Sequence, residues 1–81
     1  MVQATHKAYV IELLRYDGTP YKRRRFYRIS GPRDGVGLTK ATKYEAGDTN
    51  VVKAARYFRS IHRPVKIHSV TITMDTLPTE L

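Results

Sequence analysis

The chain contains no cysteine, and this absence removes two ways of stabilising a small domain. Disulfides cannot form, and zinc sites built from thiolates are excluded. A chain of 81 residues buries roughly 60–65% of the surface that it exposes when unfolded. Residues 1–81 are therefore expected to form a single domain with a small core. The lack of cysteine fits a reducing compartment, so we expect a cytoplasmic protein, or one of the host cytoplasm if the chain is viral.

Long apolar runs are lacking as well. No stretch approaches the roughly 20 apolar residues that a membrane-spanning helix needs. The segment Met1–Lys7 has no apolar core of the kind found in secretory signal peptides. We therefore expect a protein that neither crosses a membrane nor is exported.

Acidic residues are few, and none are paired. Seven Asp and Glu stand singly along the chain, so no pair of carboxylates suggests general acid–base catalysis. The three histidines, His6, His62 and His68, match no standard metal-ligand spacing. No Ser or Thr lies in a nucleophile-elbow context. We expect neither catalysis, nor a metal, nor a cofactor.

Basic residues, by contrast, are abundant and unevenly placed. Fifteen Lys and Arg give a formal net charge of +8 and a pI near 10.1. All fifteen lie between Lys7 and Lys66, whereas residues 71–81 carry only Asp75 and Glu80. Such a field attracts polyanions. The composition alone is also compatible with a basic protein whose charge serves solubility.

The first half of the sequence predicts a β-hairpin followed by a long connection. His6–Tyr16 is rich in β-branched and aromatic residues and is typical of a strand. Asp17–Pro20 is typical of a turn, and Tyr21–Ser30 is predicted as the returning strand. Residues 31–48 are predicted as a long loop, or as a loop with a short strand over 38–44. The loop of residues 31–37 lacks the P-loop lysine, so a flexible connector is expected there.

The second half predicts one helix. An apolar stripe recurs at helical spacing, formed by Val51, Ala54, Ala55, Phe58 and Ile61. Asp48, Thr49 or Asn50 can cap its N-terminus, and Pro64 is expected to end it.

Val65–Met74 is predicted as the last strand. Its apolar alternation changes phase near His68, which suggests a β-bulge there. Residues 1–5 and 75–81 are expected to be frayed tails. The elements predict an α+β fold: a three- or four-stranded antiparallel sheet in β-β-(β)-α-β order, with one amphipathic helix packed on one face. The opposite face is expected to meet solvent or a ligand.

The segment Tyr21–Arg28 carries the strongest functional signal, because five of its eight residues are cationic and three are aromatic. Strand alternation puts Tyr21, Arg23, Arg25 and Tyr27 on one face and Lys22, Arg24, Phe26 and Arg28 on the other. Charges on both faces indicate an edge strand, where they also discourage aggregation. Alternatively, the arginines bind phosphates and the tyrosines stack on bases. Candidate nucleic-acid-binding residues are Tyr21, Lys22, Arg23, Arg24, Arg25, Tyr27 and Arg28.

A second basic group lies on the predicted helix and the turn after it. It comprises Lys53, Arg56, Arg59 and Arg63. These cations are either an ordinary solvated face or, if helix and hairpin are neighbours, an extension of the first patch. They complete the list of candidate nucleic-acid-binding residues.

In layout, the stretch LLRYDGTPYKRRRFYR, followed by the helix and HRPVKIHSVTI, is similar to a eukaryotic large-subunit ribosomal protein over about half of the chain. The match requires an insertion over residues 31–48. The hairpin and helix also resemble the arm-binding domains of phage integrases, which end on the helix and lack the last strand. Both resemblances imply a small α+β module, and neither assigns a role to a residue.

The sequence therefore predicts a non-catalytic nucleic-acid-binding module that uses the basic hairpin strand and the basic helix face, with RNA and DNA both open. The alternative is a small virus- or plasmid-type interaction protein that binds and modulates an acidic surface of a larger, nucleic-acid-handling host complex. No membrane partner is expected, and the chain is expected to be a monomer or a homodimer.

Overall fold

The computed structural model describes the backbone of residues 2–76 and the side-chain burial of residues 5–73. It contains four strands, one α-helix and one short 3-10 helix. In chain order these are β1 (Val2–Leu14), β2 (Pro20–Phe26), the 3-10 helix (Leu38–Lys40), β3 (Tyr44–Glu45), α1 (Asn50–Ser60) and β4 (Val65–Thr76).

The sheet is antiparallel and is organised around β1. One edge of β1 pairs with β4 from Val2 opposite Thr76 to Leu13 opposite Val65. The other edge is shared end to end by β2 and the two-residue β3. The α+β class and the β-β-β-α-β order are thereby confirmed, and the third strand is the short one over Tyr44–Glu45 rather than a strand over 38–44.

The tails predicted over residues 1–5 and 75–81 overlap the β1–β4 ladder. Residues 2–5 pair with residues 73–76, so residues 2–5 and 75–76 of the predicted tails are strand in the structure. Met1 and residues 77–81 lie outside the described residues.

The N-terminus of α1 is capped from outside the helix. Thr49 occupies the cap position without a side-chain hydrogen bond, and Asp48 Oδ1 accepts the N–H of Asn50 at 2.9 Å. The helix buries Val51 and Ala55 against the sheet. Four of the five predicted stripe residues follow this pattern, since Ala54 and Phe58 are partly buried, whereas Ile61 lies beyond the helix and is 53% exposed.

The C-terminus of α1 ends earlier than Pro64 predicts. His62 adopts a left-handed conformation with φ 59°. The N–H of His62 donates to the Arg59 carbonyl at 3.1 Å, and the N–H of Arg63 donates to the Phe58 carbonyl at 2.8 Å. This is a Schellman motif with histidine at the position that glycine usually takes. The backbone hydrogen bonds, rather than the proline, end the helix.

The predicted bulge in β4 is absent, because every β1 residue from Val2 to Leu13 has one partner in unbroken register. The change in apolar phase has another cause, namely that the two faces of the sheet are covered at different places. Val65 and Ile67 pack in the helix-side core, whereas Val70 packs in a second cluster on the opposite face. Alternation along one strand cannot distinguish these two arrangements.

The second face of the sheet is not left fully to solvent. The connection after β2 folds back there, so that Val36 pairs with Phe26. Val36 and Ala41 then pack with Val10 and Phe26 into a buried cluster. Each face of β1 thus has its own small core. The helix-side core, under α1, has Ile11, Tyr44 and Val51 at its centre, and the loop-side core consists of Val10, Phe26, Val36 and Ala41.

Candidate nucleic-acid interface

In the described sheet β2 pairs only with β1, which confirms the predicted edge strand, but its basic run is a bulged excursion rather than a flat one. Leu13 pairs with Arg25, but the next residue, Leu14, pairs with Pro20. The four residues Tyr21–Arg24 therefore stand between these two partners without a counterpart on β1. A long bulge of this kind bends the strand and turns its side chains outward.

The exposure of the predicted hairpin residues follows from this geometry. Lys22, Arg23, Arg25 and Arg28 are exposed, and Tyr21 and Tyr27 are partly buried. The predicted alternation holds at the end of the strand, where Phe26 joins the loop-side core and Tyr27 joins the helix-side core. Tyr27 packs edge-on against Phe58 with ring centroids 5.0 Å apart, which makes it part of the core rather than a free stacking platform.

Arg24 is drawn to a buried acid on the face opposite α1. Its Nε lies 3.7 Å from Oε2 of Glu12, whose side chain is 2% exposed. The other carboxylate oxygen of Glu12 forms a 2.7 Å hydrogen bond with Nε2 of His68. Sequence reasoning missed this group because Glu12 and His68 are 56 residues apart and neither stands in a recognisable motif.

The hairpin turn is held by Asp17. Its Oδ1 accepts hydrogen bonds from the hydroxyl and the backbone N–H of Thr19. These hydrogen bonds stabilise the carboxylate and lower the pKa of Asp17 below its ordinary value. The backbone of the neighbouring Arg15 pairs with Thr19 and Gly18 in this turn, and the Arg15 guanidinium lies 6.0 Å from the ring centroid of Tyr21.

Arg63 joins the hairpin to the end of the helix. Its Nη2 donates to the hydroxyl of Tyr21 at 3.2 Å, although the two residues are 42 positions apart. Its guanidinium also lies over the ring of Tyr16, 5.5 Å from the centroid. The structure therefore brings Tyr21 and Arg63, both predicted site residues, into direct contact.

The remaining helix cations make no ion pair or hydrogen bond with the hairpin among the described residues. Lys53, Arg56 and Arg59 are all exposed. Val52 lines a shallow depression with Ile67 of β4. Because residues seven apart share a helix face, Arg59 lies on that same flank, away from the hairpin. Arg63 is therefore the cation of this group that the structure joins to the hairpin by a hydrogen bond.

An apolar groove of about 350 Å³ lies beside this contact, between the end of α1 and the loop at residues 31–33. Leu13, Tyr27 and Phe58 line its inner part. Tyr57 and Ile61 line its outer part and are 61% and 53% exposed. Tyr16, which is 77% exposed, lies at the same groove. Three of the six most exposed large apolar side chains in the described chain therefore meet here.

Sequence reasoning missed most of the groove. Tyr16 stands at the edge of a predicted turn, and Tyr57 lies next to the apolar stripe but outside it, so neither stood out. The loop predicted as a flexible connector contributes Pro32 and Arg33 to the lining. The exposed tyrosine on a helix that already has a complete apolar stripe is the signal that could have indicated the site.

The described residues contain neither a metal-binding group nor a helix that could cross a membrane. No three His, Asp or Glu side chains in residues 5–73 come together as a metal-binding group. Neither helix in the described part of the chain is long and apolar enough to cross a membrane.

Comparison with known proteins identifies no relative: no protein-family model, no curated protein and no solved structure matches this chain.

Proposed function

We propose that the protein binds nucleic acid without catalysing a reaction, using the hairpin excursion as its main phosphate-binding surface. One observation carries the proposal. Among the described side chains, Arg24 is the single lysine or arginine paired with a carboxylate, although fifteen such cations are present. Unneutralised cations on one small surface attract a polyanion over the range of the Debye length, about 8–10 Å in physiological salt.

The cations differ in what they offer to a ligand. Lys22, Arg23 and Arg25 are exposed on the excursion or at its end, where Arg guanidinium groups can grip phosphate with two hydrogen bonds. Arg24 forms an ion pair with Glu12, so its charge is partly neutralised. Lys43 Nζ donates to the carbonyls of Leu38, Thr39 and Ala41, which gives it a structural role at the 3-10 helix.

The proposed contacts are to the sugar–phosphate backbone, so the proposal covers RNA and DNA alike. Lys53 and Arg56 on the outer face of α1 form a second, weaker surface. We place this activity in the cytoplasm, or in the host cytoplasm if the chain is viral.

The test is fluorescence anisotropy with labelled single-stranded RNA, single-stranded DNA and duplex DNA over a series of salt concentrations. If about five phosphates are neutralised on duplex DNA, log K against log salt should have a slope of about −4 to −5. The variant Lys22→Gln/Arg23→Gln should weaken binding and make the slope shallower by about 2.

A matched control is Lys7→Gln/Arg59→Gln, which removes the same charge from exposed positions outside the excursion of residues 21–24. Equal losses in the two double variants would show that net charge alone drives the association, and the excursion would lose its role. No association with any probe at low salt would overturn the proposal. The acidic protein surface expected as the alternative partner would then be sought by pull-down.

A further inference from the structure

We infer that the groove between α1 and the 31–33 loop receives one unpaired nucleobase, whose neighbouring phosphate lies on Arg33 and Arg63. The protein would then prefer single-stranded or bulged nucleic acid to an uninterrupted duplex. This inference rests on the proposed function and specifies which form of nucleic acid the site selects.

The size of the groove suits a single base. Its volume of about 350 Å³ lies near the lower end of the roughly 300–1,000 Å³ typical of small-molecule sites. It lies between two turns, and only a base that has left its stack can enter such a recess. A duplex exposes the edges of its bases and the phosphates of its backbone to a protein. The faces of its bases are covered, because each base is stacked on its neighbours.

The lining has the chemistry that stacks on bases. Phe58 contacts Tyr27 and Tyr57 with ring centroids 5.0 Å and 5.7 Å apart and interplanar angles of 79° and 70°. Tyr57 thus contacts Phe58 edge-on while 61% of Tyr57 stays exposed. An exposed aromatic ring beside buried aromatic side chains offers a face on which a base stacks.

The charges at the groove favour a nucleotide over a neutral aromatic ligand. Arg33 and Arg63 line it, and none of its described lining residues is acidic. Arg63 is positioned by its backbone hydrogen bond to Phe58 and by its contacts with Tyr16 and Tyr21. Among the described residues its guanidinium makes one side-chain hydrogen bond, from Nη2 to Tyr21. Nε is buried without a partner, so the phosphate would bind the Nη donors that remain.

The backbone on both sides of the groove is unusual. Ser30, which precedes the 31–33 loop, and His62, which precedes Arg63, both have φ 59°. At His62 this conformation belongs to the Schellman motif that ends α1. These two turns set the positions of the groove walls that carry Arg33 and Arg63.

Three labelled duplexes with the same number of base pairs test the inference, in RNA and in DNA versions; the two bulged duplexes have equal charge and carry one phosphate more than the uninterrupted one. The first is uninterrupted, the second carries one bulged nucleotide, and the third carries an abasic bulge at the same place. We expect about tenfold tighter binding to the base-containing bulge than to either of the other two, since stacking of one base is worth roughly 1–3 kcal/mol, or about 5- to 150-fold.

Variants of Tyr57 locate the effect. Tyr57→Ala should lower affinity for the base-containing bulge about tenfold and leave the uninterrupted duplex unchanged, and Tyr57→Phe should keep the preference. Val52→Ala is the control, because Val52 is an exposed apolar residue on the other flank of the same helix. Circular dichroism and thermal unfolding establish that each variant is folded.

The outcomes separate the two proposals. Salt-dependent binding of all three duplexes with equal affinity, unaffected by Tyr57→Ala, would overturn the groove inference and leave the proposed function in place. An abasic bulge bound as tightly as the base-containing bulge would also overturn it, because backbone shape alone would explain the preference. No binding of any duplex or single strand would overturn both.

Discussion

Glu12 of β1 and His68 of β4 are diagonal neighbours in the sheet, since Glu12 is opposite Lys66 and His68 is opposite Val10. A 2.7 Å hydrogen bond joins Glu12 Oε1 to His68 Nε2. Glu12 is 1% exposed, which makes it the one buried charged residue of the described chain. Its second oxygen, Oε2, has no hydrogen bond and is approached only by Arg24 at 3.7 Å. A buried carboxylate is costly unless it is paired, so the loop-side face of the sheet depends on this contact.

Replacing His68 should therefore destabilise the fold. We expect His68→Ala to lower the free energy of unfolding by about 2 kcal/mol, less than the 3–5 kcal/mol of a fully buried pair because the His68 side chain is 29% exposed. Urea unfolding followed by circular dichroism measures this. The double variant Glu12→Leu/His68→Leu should recover most of the loss, since no charge is then left buried. A His6→Ala control, at an exposed position, should stay within about 0.5 kcal/mol of the parent.

The left-handed His62 offers a stabilising change. We expect His62→Gly to raise the free energy of unfolding by about 0.5–1 kcal/mol, because glycine adopts φ 59° without the steric cost that a side chain carries. The midpoint of thermal unfolding would rise by several degrees. The comparison variant His62→Ala keeps a Cβ and should show no such gain; an equal gain in both would place the effect in the side chain instead.

Alanine substitutions at Gly35 and Gly37 form a matched pair that tests the packing of the loop-side core. A Cβ at Gly35 would meet the Phe26 carbonyl oxygen at 2.9 Å and Leu13 Cδ1 at 3.0 Å, and its φ is +85°. We expect Gly35→Ala to cost about 2 kcal/mol or more, because the backbone must shift where Val36 pairs with Phe26. Gly37 has open space around it, so Gly37→Ala should be close to neutral. Equal stabilities of the two variants in urea would contradict the loop packing described above.

We expect the free energy of unfolding to fall at alkaline pH because of Tyr44. Burial of Tyr44, with smaller effects from Tyr27 and Asp48, raises the pKa of its phenol above the ordinary 10.0. The neutral form is thus favoured in the folded state. Its contribution is fully present below the unfolded pKa of about 10 and is lost as pH rises through the raised folded pKa. The difference in free energy of unfolding between the parent and Tyr44→Phe should be constant below pH 9 and should shift in favour of Tyr44→Phe above pH 10.

A substitution of Arg63 tests whether the shape or the charge of its side chain governs the preference of the groove for an unpaired base. Arg63→Lys keeps the positive charge but loses the planar fork that lies over Tyr16 and reaches Tyr21. We expect an unchanged salt slope on uninterrupted duplex and a preference for the bulged probe that is reduced severalfold. A preference that survives this substitution intact would show that Arg63 acts as a point charge only.

Local patterns were sufficient for the order of the main strands and the helix, but not for the short third strand over Tyr44–Glu45. The apolar stripe of α1 and the β-branched runs of β1 and β4 depend on neighbours a few residues apart, so the element order and the α+β class followed from the sequence. The basic character of the hairpin is likewise a matter of composition. Element ends were less accurate, because the end of α1 depends on the hydrogen bonds of one left-handed residue, His62.

The phase change in β4 marks the limit of such reasoning. The pattern was real, but a bulge was the wrong explanation, since Val70 faces a core made by a loop that the sequence left undefined. Periodicity reports which side chains are apolar and cannot report which element covers them.

The sequence by itself determined the elements, their order and a surplus of positive charge, because all three depend on composition and on short-range spacing. Only the tertiary structure decided which distant side chains meet, Glu12 with His68 and Tyr21 with Arg63, and that Tyr57 lines one groove with the 31–33 loop. These contacts arise when the chain closes long loops and packs both faces of β1, and the free energy of that packing is not encoded in any one segment.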